Sequence, residues 1–483
     1  MDLSTQSCTV ELRDEHTFAL LGTSSSPLPE TFPPVSEHDP NVWWSALKLC
    51  LEDLRKAGVS TSDVAAISVG AQCHGLVPLD KDGTVIRRAK LWNDTESSGV
   101  AEALVAKYGK EYWVENVGTV PTAAFTISKL GWLIENEPQN AARIAKIVQP
   151  HDYLTWRFTG RFTTDRSEAS GTGYFSSFDN KYLPEMLLDC WGDFLPWDEI
   201  FPEVLGPTEH AGVLQEEVAA ELNLPAGIVV GPGGGDQHLA ALGLGVQEGD
   251  FVVSLGTSGV VFAPVGHPVK DLTGGIDGVA SVTGGWLPLI CTLNCTKVTD
   301  RMALWLGTDL KTMEEMALSV DPAAPRPIYV PYLDGERTPA LPHSEGVFGG
   351  LTGSTSREQL ALCAYEGVVL GLWRGFQSIV NAGVQVNGRL IVVGGGANSA
   401  AYRQVVADMF GRVAMRVDAP EATARGACLQ ALAVLNGCSL QDVQKQCQPQ
   451  VIDTTQPRDT KVWSGLLPAY EKVADFAAST PAL

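Results

Sequence analysis

Ile228-Val-Val-Gly-Pro-Gly-Gly-Gly-Asp236 is the stretch on which the fold class turns. A short apolar run makes a strand, a glycine-rich turn reverses the chain, and a lone acid stands where the next helix would begin. The same order returns at Leu390-Ile-Val-Val-Gly-Gly-Gly-Ala397. Each of these runs closes half of the chain. Each half also opens on small and hydroxylated residues: Asp2-Leu-Ser-Thr-Gln-Ser-Cys-Thr9 in the first, Val253-Ser-Leu-Gly-Thr-Ser-Gly-Val-Val261 in the second. Two similar lobes, each presenting tight backbone turns, imply a cleft between them. Backbone N–H groups at such turns suit phosphate oxygens, and the layout is that of an ATP-dependent phosphotransferase.

Outward from these runs, strand-like and helix-like segments alternate, which argues for α/β architecture. Residues 65–69 read as a strand. Before them the spacing predicts a helix over Pro40–Lys56: Asp39 is a good N-cap, Pro40 suits the first turn, and Trp43, Leu47, Leu51 and Leu54 recur at helical spacing up to Gly58. Further helices are predicted over 126–135, 213–222, 237–244, 357–382 and 400–410, with a terminal helix over 470–478. Residues 265–285 read as surface loop. The break near 245–250 divides the chain into domains 1–245 and 246–483.

Composition narrows the function classes. The 483 residues are 45% hydrophobic and include 49 glycines, enough for two filled cores and many turns. Lys+Arg 34 against Asp+Glu 56 give a net charge of −22. That charge repels nucleic acid, and any anionic ligand needs local dipoles or a metal to hold it. The 10 cysteines are scattered, with no CxxC pair; a zinc site is not expected and reduced, mostly buried thiols are. No apolar run approaches ~20 residues, so no membrane span is expected. The expectation is a cytoplasmic protein.

Gly256-Thr257-Ser258-Gly259 lies between two β-rich runs and reads as a hairpin turn. Its amides and hydroxyls can converge on phosphate; a plain hairpin explains it equally well. Gly394-Gly-Gly-Ala397 follows a strand and precedes a helix, where a nucleotide can approach the backbone. Close strand–helix packing is the better explanation of an isolated triplet. Asp236 is more pointed. A carboxylate at a strand's C-terminal end can take a proton from a substrate hydroxyl during phosphoryl transfer, though Asp also serves as a plain N-cap. Gln237 and His238 could reach hydroxyls or simply pack. Gln72-Cys73-His74-Gly75 is placed to hydrogen-bond a polyol, and Trp92-Asn-Asp94 could wall the same pocket. Asp2, beside Ser4 and Thr5, could hold Mg²⁺ largely through water; on position alone, a frayed and solvated terminus is the better reading.

Together these segments resemble the FGGY carbohydrate kinases, and among them most closely the xylulokinases. Val35-Ser-Glu-His-Asp-Pro-Asn-Val-Trp-Trp44 is similar to the family's S-E-Q-D-P…W-W, and Gln72-Cys-His-Gly75 to its Q-M-H-G. Leu91-Trp-Asn-Asp94, His151-Asp-Tyr153, residues 165–172, Gly233-Gly-Gly-Asp236 and Ser254-Leu-Gly-Thr-Ser-Gly259 follow in family order. So do Pro331-Tyr-Leu-Asp-Gly-Glu-Arg-Thr-Pro339, Gly346-Val-Phe-Gly-Gly-Leu351 and Gly394-Gly-Gly-Ala397. The resemblance spans nearly the whole chain. It implies two actin-like (ribonuclease-H-like) domains around a central cleft, a sugar-binding 1–245 and a nucleotide-binding 246–483. It implies transfer of the ATP γ-phosphoryl group to a ketopentose, foremost D-xylulose, giving D-xylulose 5-phosphate. Asp236 matches the general base; Cys73, His74, Asp236 and Gln237 match sugar contacts. Thr5, Gly256, Thr257, Gly394, Gly395 and Ser399 match the nucleotide site, and Asp2 the acid associated with metal, so ATP and Mg²⁺ are the expected cofactors. A homodimer is compatible with all of this. The alternatives are another FGGY kinase acting on ribulose, gluconate or glycerol, or a catalytically impaired sugar-binding regulatory protein.

The chain departs from the family pattern in four places. The first phosphate loop is D-x-G-T-x-x-x-K in the family; here Ser4 replaces Gly and Thr9 stands at the Lys position, removing one cation. Cys73 stands where Met is usual, and Glu96 where an Arg is. Lastly, the family's loop acid ends a first β-strand, and here only Met1 precedes Asp2. Without that central strand, unpaired backbone and an apolar face would cost on the order of several kcal/mol. The expectation is that the first strand is missing and the true start lies upstream, which mass spectrometry of the native protein tests.

Overall fold

A computed structural model of the protein describes residues 1–333, 335–341, 343–458 and 461–479. Asp334 of the 331–339 segment and residues 480–483 at the end of the second half lie outside the described residues.

The second half is built on Leu390–Val393. This run pairs in parallel with Phe251–Leu255, Leu390 beside Phe251 and Val393 beside Ser254. Six strands follow in the order Leu289–Thr292, Gly259–Phe262, Phe251–Leu255, Leu390–Val393, Ala414–Val417, Val451–Thr455. The central ones are apolar runs because helices cover them. One cover is the helix Arg357–Asn381, whose start is fixed by a capping box: the Gln359 N–H donates to Ser356 Oγ at 3.2 Å, and the Ser356 N–H to Gln359 Oε1 at 2.9 Å. Its Val368, Val369 and Leu372 share one apolar cluster with Phe251, Val253 and Val392.

The first half holds a sheet in two pieces. One has the order Gly234–Gly235, Gly70–Ala71, Asp2–Leu3, Ser7–Arg13, Leu20–Pro27; the other has Gly212–Val213, Val229–Val230, Ala66–Ile67. Ala66–Ile67 leads into Gly70–Ala71, so the strand expected over 65–69 is interrupted at Ser68 and Val69. Asp2–Leu3 takes the central place, parallel to Gly70–Ala71 and antiparallel to Ser7–Arg13. The reading of Asp2 as part of a frayed, solvated terminus is therefore corrected. Met1 is 6% exposed, and its ammonium donates to the Ser68 carbonyl at 3.1 Å.

The Pro40–Lys56 helix forms as its sequence dictates, with the Asp39 carboxylate accepting the Asn41 N–H and Trp43, Leu47, Leu51 and Leu54 buried. The helix expected over 213–222 begins only at Glu216, because Gly212–Val213 pairs with Val229–Val230 instead. The terminal helix is longer than expected, Lys461–Ser479. Two helices tie the halves together. Asp236–Gly243 from the first half packs on Ala422–Asn436 from the second, and the Thr423 hydroxyl donates to the Asp236 carbonyl at 3.1 Å. All 10 cysteines are free thiols. Among the described residues no helix is long and apolar enough to cross a membrane.

Candidate active site

The glycine turn before Asp236 is shaped by close approach. Gly233 has φ +80°, and a Cβ there would press on the Val69 carbonyl at 2.8 Å. Its N–H and C=O are both bonded at 3.0 Å by Gln430 of the Ala422–Asn436 helix. A Cβ on Gly235 would meet Cys73 Sγ at 2.5 Å, Glu168 Oε1 at 2.7 Å and His238 Cδ2 at 2.8 Å. Two side chains distant in sequence, Cys73 and Glu168, thus converge on this turn with the nearby His238.

Asp236 opens the helix that follows. Its carboxylate accepts the Gln237 N–H at 2.7 Å and lies 3.5 Å from the Cys73 thiol. Burial raises its pKa from 3.8 to about 6, while the Gln237 N–H and the Cys73 thiol oppose the rise. The group is mostly ionised at pH 7 and still basic enough to accept a proton. Asp2 is lifted to about 7, first by burial and then by the charge of Asp236. The structure therefore brings Asp2 and Asp236 into one electrostatic neighbourhood, and Asp2 Oδ1 is buried with no hydrogen-bond partner. Beside them, Thr5 Oγ1 accepts the Trp92 indole N–H at 2.9 Å and donates to Gln72 Oε1 at 3.4 Å.

His74 carries φ +65°, an uncommon conformation for a side-chain-bearing residue. Its ring stacks on Phe125, and its Nδ1 lies 2.7 Å from the Gly171 carbonyl. A carbonyl only accepts, so Nδ1 carries the proton. Burial drives the ring's pKa down to about 3, so it is neutral and Nε2 keeps a free lone pair. His238 is buried and neutral, its pKa lowered to about 4, and packs rather than opening on a cleft.

Sequence reasoning gave no role to Glu168, although it lies inside the quoted 165–172 segment. It is 1% exposed, and burial raises its pKa well above the carboxylate range. Asp165 positions it by capping its helix, accepting the Ser167 N–H at 2.7 Å and the Glu168 N–H at 3.1 Å. Turned so that its nitrogen faces the acid, the Gln149 amide donates to Glu168 Oε2 at 2.9 Å. Asp152 and His151 lie behind this group. Burial raises Asp152 from 3.8 to about 8 and lowers His151 to about 3, so their 3.1 Å contact is one between neutral groups. An acid whose folded pKa exceeds its unfolded value stabilises fully below the unfolded value, and that contribution is lost as pH rises through the folded one. Asp152→Asn keeps the acceptor that the Gln149 N–H uses at 2.8 Å and removes the titration. Its melting temperature relative to the parent should climb steadily between pH 5 and pH 9; a gap that stays constant with pH would refute this assignment.

In the second half, the hairpin between Phe251–Leu255 and Gly259–Phe262 presents its turn to a helix. The Thr296 N–H donates to the Gly256 carbonyl at 3.0 Å and the Cys295 N–H to the Thr257 carbonyl at 3.2 Å. In a planar trans peptide the N–H points opposite the C=O. The N–H groups of Thr257 and Ser258 therefore aim away from that helix, beside the exposed Thr257. Gly394 and Gly396 pack on the same hairpin: their Cβ atoms would meet Leu255 O at 2.6 Å and Leu255 Cβ at 2.8 Å. Gly395 has nothing within 4 Å and is exposed. The packing and the ligand-approach readings of the triplet are thus divided among its members. Ser399 caps the Ala400–Phe410 helix, accepting the Tyr402 N–H at 3.3 Å.

The departures resolve locally. Thr9 is buried and bonded to Ser25 Oγ at 3.0 Å. Glu96 is paired with a buried lysine: Lys90 Nζ lies 2.5 Å from it, 3.1 Å from Asp94 and 3.3 Å from Glu37. That ammonium holds the three carboxylates together.

Two family models match end to end. The N-terminal domain of the FGGY family of carbohydrate kinases covers residues 1–243, and its C-terminal domain covers residues 251–435. The chain belongs to the FGGY family of carbohydrate kinases. It is similar to a xylulose kinase from Streptomyces rubiginosus, 40% identical over 90% of this chain and 88% of that protein. It is similar to a xylulose kinase from Escherichia coli, 32% identical over 78% of this chain and 77% of that protein. Its fold matches the crystal structure of xylulose kinase from Bifidobacterium adolescentis with a TM-score of 0.86, at 36% identity over 98% of both chains. This FGGY kinase is a two-domain enzyme that uses ATP to phosphorylate a sugar hydroxyl.

Proposed function

We propose that this kinase converts D-xylulose to D-xylulose 5-phosphate, with Asp236 as the general base. The choice of sugar is supported by the 40% identity to a xylulose kinase over 90% of the chain. The observation that carries the chemistry is the setting of Asp236: a buried carboxylate with its pKa raised to about 6, at a strand's end, beside Cys73 and in the field of Asp2. Residues 1–245 bind sugar and 246–483 bind nucleotide in this reading. The protein works in the cytoplasm as a monomer or a homodimer, which light scattering distinguishes.

Phosphoryl transfer passes through a loose transition state, so positioning and charge stabilisation do most of the catalysis. Asp236 orients the sugar's terminal hydroxyl and takes its proton as the new O–P bond forms and the bond from the γ-phosphorus to the bridging oxygen breaks, releasing ADP. The Gln237 N–H and the Cys73 thiol hold the carboxylate in place, and the Gln237 side chain fixes a second hydroxyl. His74, with Nδ1–H on the Gly171 carbonyl, offers Nε2 as an acceptor to another. The N–H groups of Thr257 and Ser258, with the hydroxyl of Thr5, take phosphate oxygens. The open backbone at Gly395, with Gly394 packed on Leu255 beside it and Ser399 following, faces the adenosine. The unpartnered Asp2 Oδ1 beside a second acid is a hard-oxygen donor set that fits Mg²⁺. Asp2 would hold the ion through water, and the ion would offset phosphate charge there. Closure of the lobes excludes water and limits ATP hydrolysis.

A panel of D-xylulose, D-ribulose, D-gluconate and glycerol with ADP detection tests the substrate. D-xylulose should exceed the others in kcat/KM by ~10²-fold or more, the discrimination expected where an enzyme hydrogen-bonds each hydroxyl. Equal or better use of another sugar would reassign it. Sugar binding by calorimetry with no turnover of any sugar would favour a regulatory sugar-binding protein instead.

A further inference from the structure

Residues 265–285, expected to be surface loop, are in part a buried inter-lobe segment: Ile276, Val279, Ala280 and Val282 are all buried. The segment belongs to the second half and lies against the first. The Gly278 N–H donates to the Gly118 carbonyl at 3.1 Å, the Thr119 hydroxyl to Asp277 Oδ1 at 2.8 Å, and the Ala280 N–H to Ser170 Oγ at 2.9 Å. From its own half Asp277 is held by Arg337, whose guanidinium donates to Oδ2 at 2.8 Å. Val282 shares an apolar cluster with Leu239 and Leu242 of the Asp236–Gly243 helix. It also packs on the turn before Asp236, where a Cβ on Gly234 would meet its Cγ1 at 2.6 Å.

These contacts fall on the two elements that set the candidate sugar residues. One is the turn before Asp236. The other is the helix Arg166–Ser170: Gly171, at its C-terminal end, offers the carbonyl that holds His74 Nδ1, and Ser167 Oγ accepts the Gly235 N–H at 3.4 Å. Ser170 passes on the contact from Ala280, its hydroxyl donating to the Ser167 carbonyl at 2.7 Å. A single side chain locks the junction. Arg166 donates to the carbonyls of Gly284 at 2.7 Å, Gly285 at 2.8 Å and Ser177 at 2.7 Å, and its guanidinium carbon lies 4.5 Å from the centre of the Trp286 ring. The Trp286 indole N–H bonds back to Ser177 Oγ at 3.2 Å. Carbonyls from both halves thus converge on one cation, and a planar fork reaches all three where a point charge does not.

We propose that Arg166 is a positioning residue for the sugar site and that residues 277–286, although they come from the second half, belong to the sugar-binding body; this rests on the reading of His74 and Asp236 as sugar-facing residues. Arg166 acts on both through the segment it clasps. By holding 284–286 against its own helix it keeps Ala280 on Ser170 and Val282 on Gly234. Gly171, and with it the His74 ring, then stays in register with the Asp236 turn. The division of labour therefore does not follow the two halves. Loosening the clasp weakens sugar binding, while the nucleotide residues at 256–258 and 394–399 lie outside it.

Arg166→Gln, Arg166→Lys and Trp286→Leu are compared in the full chain by sugar calorimetry without nucleotide, by steady-state kinetics and by hydrogen exchange. Arg166→Gln and Trp286→Leu should each raise the sugar Kd and KM by ~10-fold and leave the KM for ATP within about twofold of the parent. Arg166→Lys keeps a cation over Trp286 but reaches fewer carbonyls, so it should recover part of the loss. The double variant Arg166→Gln with Trp286→Leu should be no worse than the poorer single one, because both act through one clasp. Amides at 168–171 and 233–237 should exchange faster in the Gln and Leu variants, and those at 390–393 should not. Sugar and ATP constants that rise together with a fall in melting temperature would make Arg166 merely structural and overturn the proposal. So would fully additive losses in the double variant. A parent that binds and phosphorylates no sugar of the panel fails the reading of His74 and Asp236 and takes the positioning role with it. A parent that does phosphorylate sugar, with variants whose sugar constants stay unchanged, fails the clasp alone.

Discussion

Asp236→Asn is expected to lower kcat by ~10²- to 10⁴-fold while D-xylulose still binds within a few-fold of its parent affinity. That loss corresponds to about 3–5 kcal/mol of transition-state stabilisation. The substitution keeps the volume and one oxygen acceptor, so the Gln237 N–H retains its partner at Asp236. What it removes is the site that takes the proton. Stability should move the other way. Burial has lifted the Asp236 pKa to about 6, so its stabilising contribution is complete near pH 4 and is lost as pH rises through 6. The Asn variant should therefore melt at or above the parent at pH 8, and relatively lower at pH 5. A variant that turns over normally would remove Asp236 from the chemistry. One that loses sugar binding and thermal stability together would make the residue structural.

The parts of the fold that were legible in the sequence are those whose causes are local. Asp39 and Pro40 fix the start of a helix by capping, and Leu390–Val393 is a strand because four apolar residues end in glycines. The Gly256–Thr257 turn is readable because a two-strand hairpin sets its own register. Asp236 was legible for the same reason: an acid immediately after a glycine turn has few places to go. The approach of Cys73 and Glu168 to this turn, with Gln149 on Glu168, was not legible, because segments distant in sequence meet there only through tertiary packing. Residues 213–215 look helical until Val229 and Val230 claim the backbone of Gly212 and Val213. That Glu96 has a cationic partner was hidden too, until Lys90 was placed against it. The division of labour inside Gly394-Gly-Gly was equally hidden, since only the neighbouring Leu255 decides which glycine is packed and which is open.

Gly426→Val is expected to destabilise the fold strongly. Gly426 and Gly243 lie where the Asp236–Gly243 and Ala422–Asn436 helices cross, and a Cβ on either would run into the other helix's backbone: into the Leu239 carbonyl from Gly426, and into the Ala422 carbonyl from Gly243. Backbone in a helix cannot rotate aside as a side chain can, so the two helices must separate. Overpacking of this kind costs about 1–3 kcal/mol and more where nothing yields. Separation also shifts Asp236, whose carbonyl is tied to Thr423, and Gly243, whose carbonyl accepts from Arg425. Activity should therefore fall with stability. The decisive comparison is with alanine at two helical glycines. Helix propensity alone favours alanine by about 1 kcal/mol at each. At Gly371, in the Arg357–Asn381 helix, an added Cβ would meet the Tyr470 hydroxyl at 3.6 Å, an ordinary contact. Gly371→Ala should raise the melting temperature or leave it unchanged, whereas Gly426→Ala should lower it by several degrees and lower kcat/KM with it. If the two alanine variants melt alike, the glycine crossing does not set the distance between the lobes, and the site's geometry must be held elsewhere.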